Sequence, residues 1–99
     1  MLKIQFDKEK IHGFCTKWLI AELSIFGSAL RDDFKPDSDV DVLITFSDNA
    51  HWSLFDWLDM IEELKIIFGR DVDLVSSKGL RNPYRRKEIL STREVIYAA

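Results

Sequence analysis

The chain has 99 residues, of which 46% are hydrophobic and 31% charged, and its formal net charge is −3. This is the composition of a small folded protein, and it argues against a disordered chain and against a nucleic-acid-binding domain, which would be basic. No run approaches the roughly 20 apolar residues of a membrane span, and the N-terminus does not resemble a signal peptide. Cys15 is the single cysteine, so an internal disulfide is excluded. We therefore expect one domain, residues 1–99, in the cytoplasm and without membrane contact.

The first predicted element is a helix over residues 7–22. Asp7 is of a residue type that caps helices, and the apolar residues after it recur on one helical face. These are Ile11, Phe14, Cys15, Trp18 and Leu19. A strand over 23–26 follows, and a helical turn over 29–33 and a loop over 35–38 lead to a strand over 39–46. This connection is short, so the two strands are expected to be antiparallel neighbours.

The next predicted element is a long helix over residues 53–68. Ser53 and Asp56 have the spacing of a capping box, and Gly69 is suited to end the helix. Its expected buried stripe consists of Leu54, Leu58, Ile61, Leu64 and Phe68. Three further aromatic residues exceed what that stripe needs: Trp52, Phe55 and Trp57. Core packing is the simpler interpretation of them, but an exposed remainder would mark a partner interface.

The last two predicted elements are a strand over 70–75 and a C-terminal helix. Asn82 and Pro83 are typical of an N-cap and a first helical residue, and the helix is expected to run through Ile89 and Val95 to the end.

Charge is distributed unevenly along the chain. Residues 32–73 carry twelve acidic side chains against three basic ones, whereas residues 78–99 carry six basic against two acidic. The basic segment is either a solvated surface or one that meets phosphates or a partner.

The motif that carries chemistry joins the first two strands. Asp39 and Asp41 are two residues apart, so on a strand their side chains share one face. Two carboxylates held side by side repel each other, and such a pair suits Mg²⁺, which takes one or two carboxylates and leaves its other positions to water and phosphate. Gly27 lets the backbone pass close to a ligand, and Ser28 stands at a helix start, where N–H groups favour an anion. Together these features indicate a nucleotide and phosphoryl or nucleotidyl transfer.

A third carboxylate is offered by the strand over 70–75. Asp71 and Asp73 share a face, and one of them would join the first two carboxylates if this strand pairs beside the second. Asp73 is better placed, because apolar residues flank it inside the strand, whereas Asp71 lies at the strand's mouth.

At these residues the sequence resembles the minimal nucleotidyltransferases of the DNA polymerase beta-like superfamily. The family pattern is a hydrophobic residue, Gly and Gly or Ser, then nine to thirteen residues, then two acidic residues separated by a hydrophobic one. A further carboxylate follows on a later strand. Here the pattern is matched by Phe26-Gly27-Ser28, Asp39-Val40-Asp41 and Val72-Asp73-Leu74. One position departs from many relatives, since Asp32 rather than Gly follows Arg31.

The resemblance implies a role for each matching residue. Asp39 and Asp41 would bind two Mg²⁺ ions, and Asp73 would bind the second ion or accept a proton. Gly27 and Ser28 would hold the phosphates of ATP, with Arg31 nearby. The reaction would be attack on the α-phosphorus with pyrophosphate as the leaving group.

The resemblance also implies a fold and a partner. We expect an α/β two-layer domain, with helices on one face of a mixed three- to four-stranded sheet and the carboxylates on the other. Small members of this superfamily resemble the antitoxin of a toxin–antitoxin pair, which transfers AMP from ATP to a tyrosine of a HEPN ribonuclease toxin. Two alternatives stay open. One is a non-catalytic module that neutralises a helical partner by occlusion, and the other is a transferase acting on a small molecule. The oligomeric state, homo- or hetero-oligomeric, also stays open.

Overall fold

Three helices and four strands make up the part of the chain that the structure describes. The computed structural model describes residues 4–30, 35 and 38–99, without the side chain of Ser28. In chain order the elements are α1 (Lys8–Lys17), β1 (Ile20–Phe26), a 3₁₀ turn (Gly27–Leu30), β2 (Val40–Phe46), α2 (Leu54–Phe68), β3 (Val72–Ser76), a second 3₁₀ turn (Ser77–Gly79), α3 (Pro83–Thr92) and β4 (Glu94–Ala98). None of these helices has the length and apolar character needed to cross a membrane.

The four strands form one mixed sheet in the order β3-β2-β1-β4. β1 pairs antiparallel with both β2 and β4, as expected for strands joined by short connections. β2 and β3 pair in parallel. A parallel pair needs a crossover segment, which α2 provides. The predicted mixed sheet, including the antiparallel pairing of the first two strands, is therefore confirmed.

The main core lies between the sheet and the first two helices. It contains buried residues of α1 and α2 together with the alternate residues of the central strands that point to the same face, for example Ile25, Val42 and Ile44. The predicted layer of helices on one face is confirmed for α1 and α2.

The third helix lies on the other face of the sheet, which the sequence did not predict. A second apolar cluster joins Ile89 of α3 and Leu80 to the sheet residues Phe26 and Leu43. In the β1–β2 register Phe26 lies opposite Asp41, so this cluster and the predicted carboxylates share a face. The basic helix therefore covers part of the face on which the candidate site lies.

Local sequence explains the ends of α2. The Ser53 hydroxyl accepts a hydrogen bond from the Asp56 N–H at 3.2 Å, and the Asp56 carboxylate accepts one from the Ser53 N–H at 2.9 Å. The predicted capping box is thus confirmed. Gly69 ends the helix with a φ of 70°, a left-handed conformation that glycine adopts without strain.

The first helix is shorter than predicted. It ends at Lys17, and β1 begins at Ile20, which pairs with Phe46 at the far end of β2. Between them Leu19 has a φ of 55°, a conformation that interrupts the helix. Pairing with a seven-residue β2 competes with the helical periodicity of this segment and prevails over it.

The buried stripe of α2 also differs from the prediction. Met60, Leu64 and Phe68 are buried, whereas Leu54 and Leu58 are 71% and 51% exposed. The helix is rotated so that Trp57 and Met60 face the sheet. Apolar residues occur on two sides of this helix, and the pattern alone did not show which side faces the core.

The C-terminal segment is a strand rather than the end of a helix. α3 ends at Thr92, and β4 adds an edge strand beside β1. Arg93 stands at this junction, where it donates hydrogen bonds to the Glu22 carboxylate at 2.9 Å and to the Leu90 carbonyl at 2.6 Å. The ion pair links the end of α3 to β1, and it accounts for the change of direction at Arg93.

Candidate active site

Gly27 lies directly against the carboxylate of Asp41. The antiparallel register places Phe26, the last residue of β1, opposite Asp41 near the beginning of β2, and Gly27 follows immediately. An ideal Cβ on Gly27 would overlap Oδ2 of Asp41 and lie 3.2 Å from its Cγ. Gly27 also has a φ of 73°, so both its backbone conformation and the available space require glycine. The turn and the carboxylate strand thus form one unit.

Asp73 is the neighbour of Asp41 on the next strand. In the parallel β2–β3 register the Cα atoms of Asp41 and Asp73 are partners. Paired residues of adjacent strands lie about 4.8 Å apart and point to the same face. Asp41 is half-buried and Asp73 is exposed, so this face meets solvent at the two carboxylates.

Asp39 lies one residue before β2 and is exposed. The segment around it is held from the neighbouring strand. The Val40 N–H donates a hydrogen bond to the Asp71 carbonyl at 2.9 Å. The Arg70 guanidinium donates hydrogen bonds to the carbonyls of Lys35 and Ser38, at 3.1 and 3.4 Å. Arg70 therefore braces the loop that leads into Asp39. The sequence did not predict this role, because the acceptors of Arg70 are backbone carbonyls, which residue types do not reveal.

Asp71 is engaged elsewhere. Its carboxylate lies 3.5 Å from Nζ of Lys65, which also lies 3.6 Å from Glu62. The negative charges of Glu62 and Asp71 raise the pKa of Lys65. Asp71 therefore pairs with α2, whereas Asp73 lies beside Asp41.

The structure describes the predicted phosphate-binding residue Ser28 only in its backbone. That backbone belongs to the 3₁₀ turn Gly27–Leu30, and the side chain is not among the described groups. Arg31 and the neighbouring Asp32 lie outside the described residues altogether. Across residues 4–30, 35 and 38–99, no group of three or more His, Cys, Asp or Glu side chains is arranged to hold a metal ion.

A cleft of about 360 Å³ lies at the other end of the sheet. It is formed at the end of β2, the end of β3 and the start of α2, with Phe46, Trp57 and Lys78 among its lining residues. Of the predicted site residues that the structure describes, Gly27, Asp39, Asp41 and Asp73 do not line it. The carboxylates lie at the beginnings of β2 and β3, so this cleft is separate from them.

The fold and the paired carboxylates define a nucleotidyltransferase. The chain belongs to this family, because the profile of the nucleotidyltransferase domain matches residues 8–96. The resemblance to minimal nucleotidyltransferases that the sequence motif indicated is thereby confirmed.

Relatives in the same family are named as protein adenylyltransferases. Protein adenylyltransferase MntA of Thermococcus cleftensis is 35% identical over 78 residues, which cover 79% of this chain and 74% of that protein. A Methanocaldococcus jannaschii protein, provisionally named as a protein adenylyltransferase, is 36% identical over 73 residues, which cover 74% of this chain and 73% of that protein.

Solved structures share the fold. A toxin–antitoxin structure with AMP-PNP gives a TM-score of 0.73 at 16% identity, covering 94% of this chain and 74% of that one. The MNT antitoxin in complex with the tri-AMPylated HEPN toxin of Shewanella oneidensis matches at 17% identity with a TM-score of 0.60, covering 93% and 70%. At these identities the likeness concerns the fold alone, which is the minimal nucleotidyltransferase fold predicted from the sequence.

Proposed function

We propose that this protein is a Mg²⁺-dependent protein adenylyltransferase and an antitoxin, which transfers AMP from ATP to a tyrosine of a HEPN-domain toxin. The observation that carries the proposal is the contact of Gly27 with Asp41, whose register neighbour is Asp73. Support also comes from relatives named as protein adenylyltransferases and from fold neighbours that are complexes with a HEPN toxin.

The residues fit a magnesium site in which the protein supplies only some of the ligands and the substrate supplies others. Mg²⁺ prefers carboxylate oxygens and needs only one or two of them when phosphates and water supply the remaining ligands. Asp39 and Asp41 would hold two ions, and Asp73 would hold the second ion or act as a base. When bound, Mg²⁺ neutralises the charge of the triphosphate and polarises the phosphoryl group.

The chain's own contribution to catalysis is positioning. Gly27 brings backbone beside Asp41, and its N–H and that of Ser28 would bind the β- and γ-phosphates at the start of the 3₁₀ turn, with Arg31 adding positive charge. The tyrosine oxygen would attack the α-phosphorus in line. A new P–O bond forms, the bond to the β-phosphate bridge breaks, and pyrophosphate leaves. Asp73 would take the phenolic proton, which makes the oxygen a better nucleophile.

A second function is neutralisation by occlusion. The exposed apolar side chains of α2 would let the protein bind and cover a helical partner without any transfer of AMP.

Transfer to a small molecule stays a third hypothesis, for which no described cleft lies beside the carboxylates. In each case we propose a single domain over residues 1–99 that acts in the cytoplasm without nucleic acid or membrane, and in the first two cases its partner is a protein. The same proposal includes assembly of the protein into a homo- or hetero-oligomer.

The proposal is tested with ATP labelled at different phosphates. The protein is mixed with Mg²⁺ and a HEPN-domain protein, for which a reading frame beside its own gene is the first place to search. Label at the α-phosphate should become covalently attached to that protein, and label at the γ-phosphate should appear only in pyrophosphate. Attachment of γ-label would indicate phosphorylation instead, and attachment of neither would contradict the proposal. Asp41→Asn should abolish the attachment of α-label.

A further inference from the structure

The helix α2 has a second apolar stripe on the side that faces away from the sheet. At 3.6 residues per turn, Phe55, Leu58 and Ile66 fall on the side of α2 opposite Met60 and Leu64. Met60 and Leu64 are fully buried, whereas Phe55, Leu58 and Ile66 are 78%, 51% and 77% exposed. We call these three residues the outer stripe. Large apolar side chains aligned on one exposed helical face are typical of a surface that another helix covers.

Acidic residues lie within the outer stripe. Asp59 and Glu62 occupy the same side of α2, between Leu58 and Ile66 in the sequence. Over its 15 residues α2 carries four carboxylates and one lysine, and that lysine, Lys65, is already paired with Glu62 and Asp71. Glu62 keeps the charge of Lys65 beside it, but a helix that covers the stripe must bring a basic side chain to Asp59, or else leave this carboxylate desolvated without compensation.

The same charges argue against a second copy of this chain as the occupant. In an antiparallel two-fold pairing of two α2 helices, the register that places Phe55 on Ile66 of the copy also places Asp59 on Glu62 of the copy. Two such contacts between like charges form at once, and each costs binding energy. Self-pairing in this register, which aligns the two ends of the outer stripe, is therefore opposed by its own electrostatics.

We propose that the outer stripe docks a helix of a different protein, whose contacting face is apolar and carries Lys or Arg opposite Asp59. The identity of this protein as the HEPN-domain toxin rests on the proposed function. The stripe lies on the helical layer, whereas Asp41 and Asp73 lie on the opposite face of the sheet. A partner docked there leaves the carboxylates open to nucleotide, and its acceptor tyrosine must lie on a segment that extends past the edge of the sheet to reach them. Docking and catalysis are therefore separable by mutation.

The test measures the affinity of the full chain for the same HEPN-domain protein. The double variant Phe55→Ser/Ile66→Ser should bind at least about 30-fold more weakly, the loss expected for central interface side chains. Asp59→Lys should weaken binding about tenfold and reduce its dependence on salt, since it removes an attraction to a basic partner. Tyr84→Ser is the matched control. It removes an equally exposed aromatic side chain from α3, 85% exposed, and should leave the affinity within about twofold.

The outcomes separate this inference from the proposed function. The double variant should keep the wild-type melting temperature and its stabilisation by Mg²⁺ and ATP, whereas Asp41→Asn should bind the partner normally but transfer no AMP. If the unaltered chain binds the partner and the double variant binds it equally well, the docking surface is wrong although the function stands. A wild-type homodimer that Phe55→Ser dissociates would instead make a second copy the occupant. Failure of the unaltered chain to bind would contradict both proposals.

Discussion

The carboxylate of Asp41 occupies the space that a side chain on residue 27 would need. An ideal Cβ on Gly27 would overlap Oδ2 of Asp41, and the φ of 73° at Gly27 lies in the left-handed region. The glycine of the motif is therefore required by a carboxylate of the same motif, fourteen positions further along the chain. A glycine in such a turn lets the backbone approach a ligand, but here its first close contact is made within the chain.

Gly27→Ala should therefore both destabilise the fold and displace Asp41. The left-handed conformation alone costs roughly 1–2 kcal/mol for alanine, and the overlap with the carboxylate adds to this. Gly69→Ala is the matched control, because Gly69 has a φ of 70° but nothing within 4 Å of its ideal Cβ. Denaturant unfolding should show a clearly larger loss for Gly27→Ala than for Gly69→Ala. Equal losses would mean that Asp41 moves aside without cost.

Gly13→Ala should have the opposite sign. Gly13 lies inside α1, and its ideal Cβ has nothing within 4 Å. Alanine there restricts the unfolded chain without creating a clash, so the free energy of unfolding should rise by about 0.5–1 kcal/mol. The same denaturant titration measures it, and a loss of stability would show that the space beside α1 is not open.

The carboxylate pair can be tested without a partner protein. Asp41 and Asp73 are like charges on one face, so in EDTA Asp73→Asn should melt at or slightly above the wild-type temperature. Mg²⁺ with a non-hydrolysable ATP analogue should raise the wild-type midpoint by roughly 10 °C or more at a concentration about 100-fold above the dissociation constant. This rise should be smaller for Asp73→Asn and smallest for Asp41→Asn.

Asp71→Asn is the control for this experiment. Asp71 carries the same side chain two residues before Asp73, but it pairs with Lys65 of α2. Its replacement should leave the ligand-induced rise unchanged. If Asp71→Asn and Asp73→Asn respond alike, Asp73 has no special place at the nucleotide site.

The buried thiol of Cys15 predicts a pH dependence of stability. Cys15 is fully buried in the main core, and burial raises the pKa of its thiol to about 12. An unfolded cysteine ionises near pH ~8.5. Below this pH the thiol is protonated in both states. Above it only the unfolded state loses the proton, so the free energy of unfolding falls by up to about 1.4 kcal/mol per pH unit.

Cys15→Ala isolates this contribution from other groups that titrate at high pH. The variant should be less stable than wild type by about 1 kcal/mol at neutral pH, because it leaves a gap in the core. Denaturant unfolding between about pH 8 and pH 10 should show this difference shrinking and then reversing. A difference that stays constant would mean that the folded thiol ionises as readily as the unfolded one.

The parts of the fold that could be predicted are those that local chemistry determines. The cap at Ser53 and the position of Asp41 inside a strand follow from residue types and their spacing alone, whereas Asp39, predicted to begin that strand, lies one residue before it. The end of α1 could not be predicted, because it depends on the pairing of Ile20 with Phe46. These two residues are 26 positions apart in the sequence. The final strand was missed for the same reason, since its partner β1 is distant in the chain.

The sequence predicted candidate site residues, which the structure partly brings together, but it did not predict the groups that support them. The motif identified Gly27, Asp41 and Asp73, yet the bracing of the Asp39 loop by Arg70 depends on backbone carbonyls that no sequence pattern displays. The rotation of α2 was likewise hidden, since apolar residues lie on both of its sides. Because of this rotation, the apolar side chains of the outer stripe are exposed.

The measurement that tests the central claim most directly is the intact mass of the HEPN-domain protein after incubation with this protein, ATP and Mg²⁺. The account predicts that the mass rises in steps of one AMP, that the modified residue is a tyrosine, and that ribonuclease activity falls in parallel. Asp41→Asn should give no mass gain and no loss of ribonuclease activity beyond that caused by binding. Full neutralisation of the ribonuclease with no change in its mass would contradict the account and leave occlusion as the function.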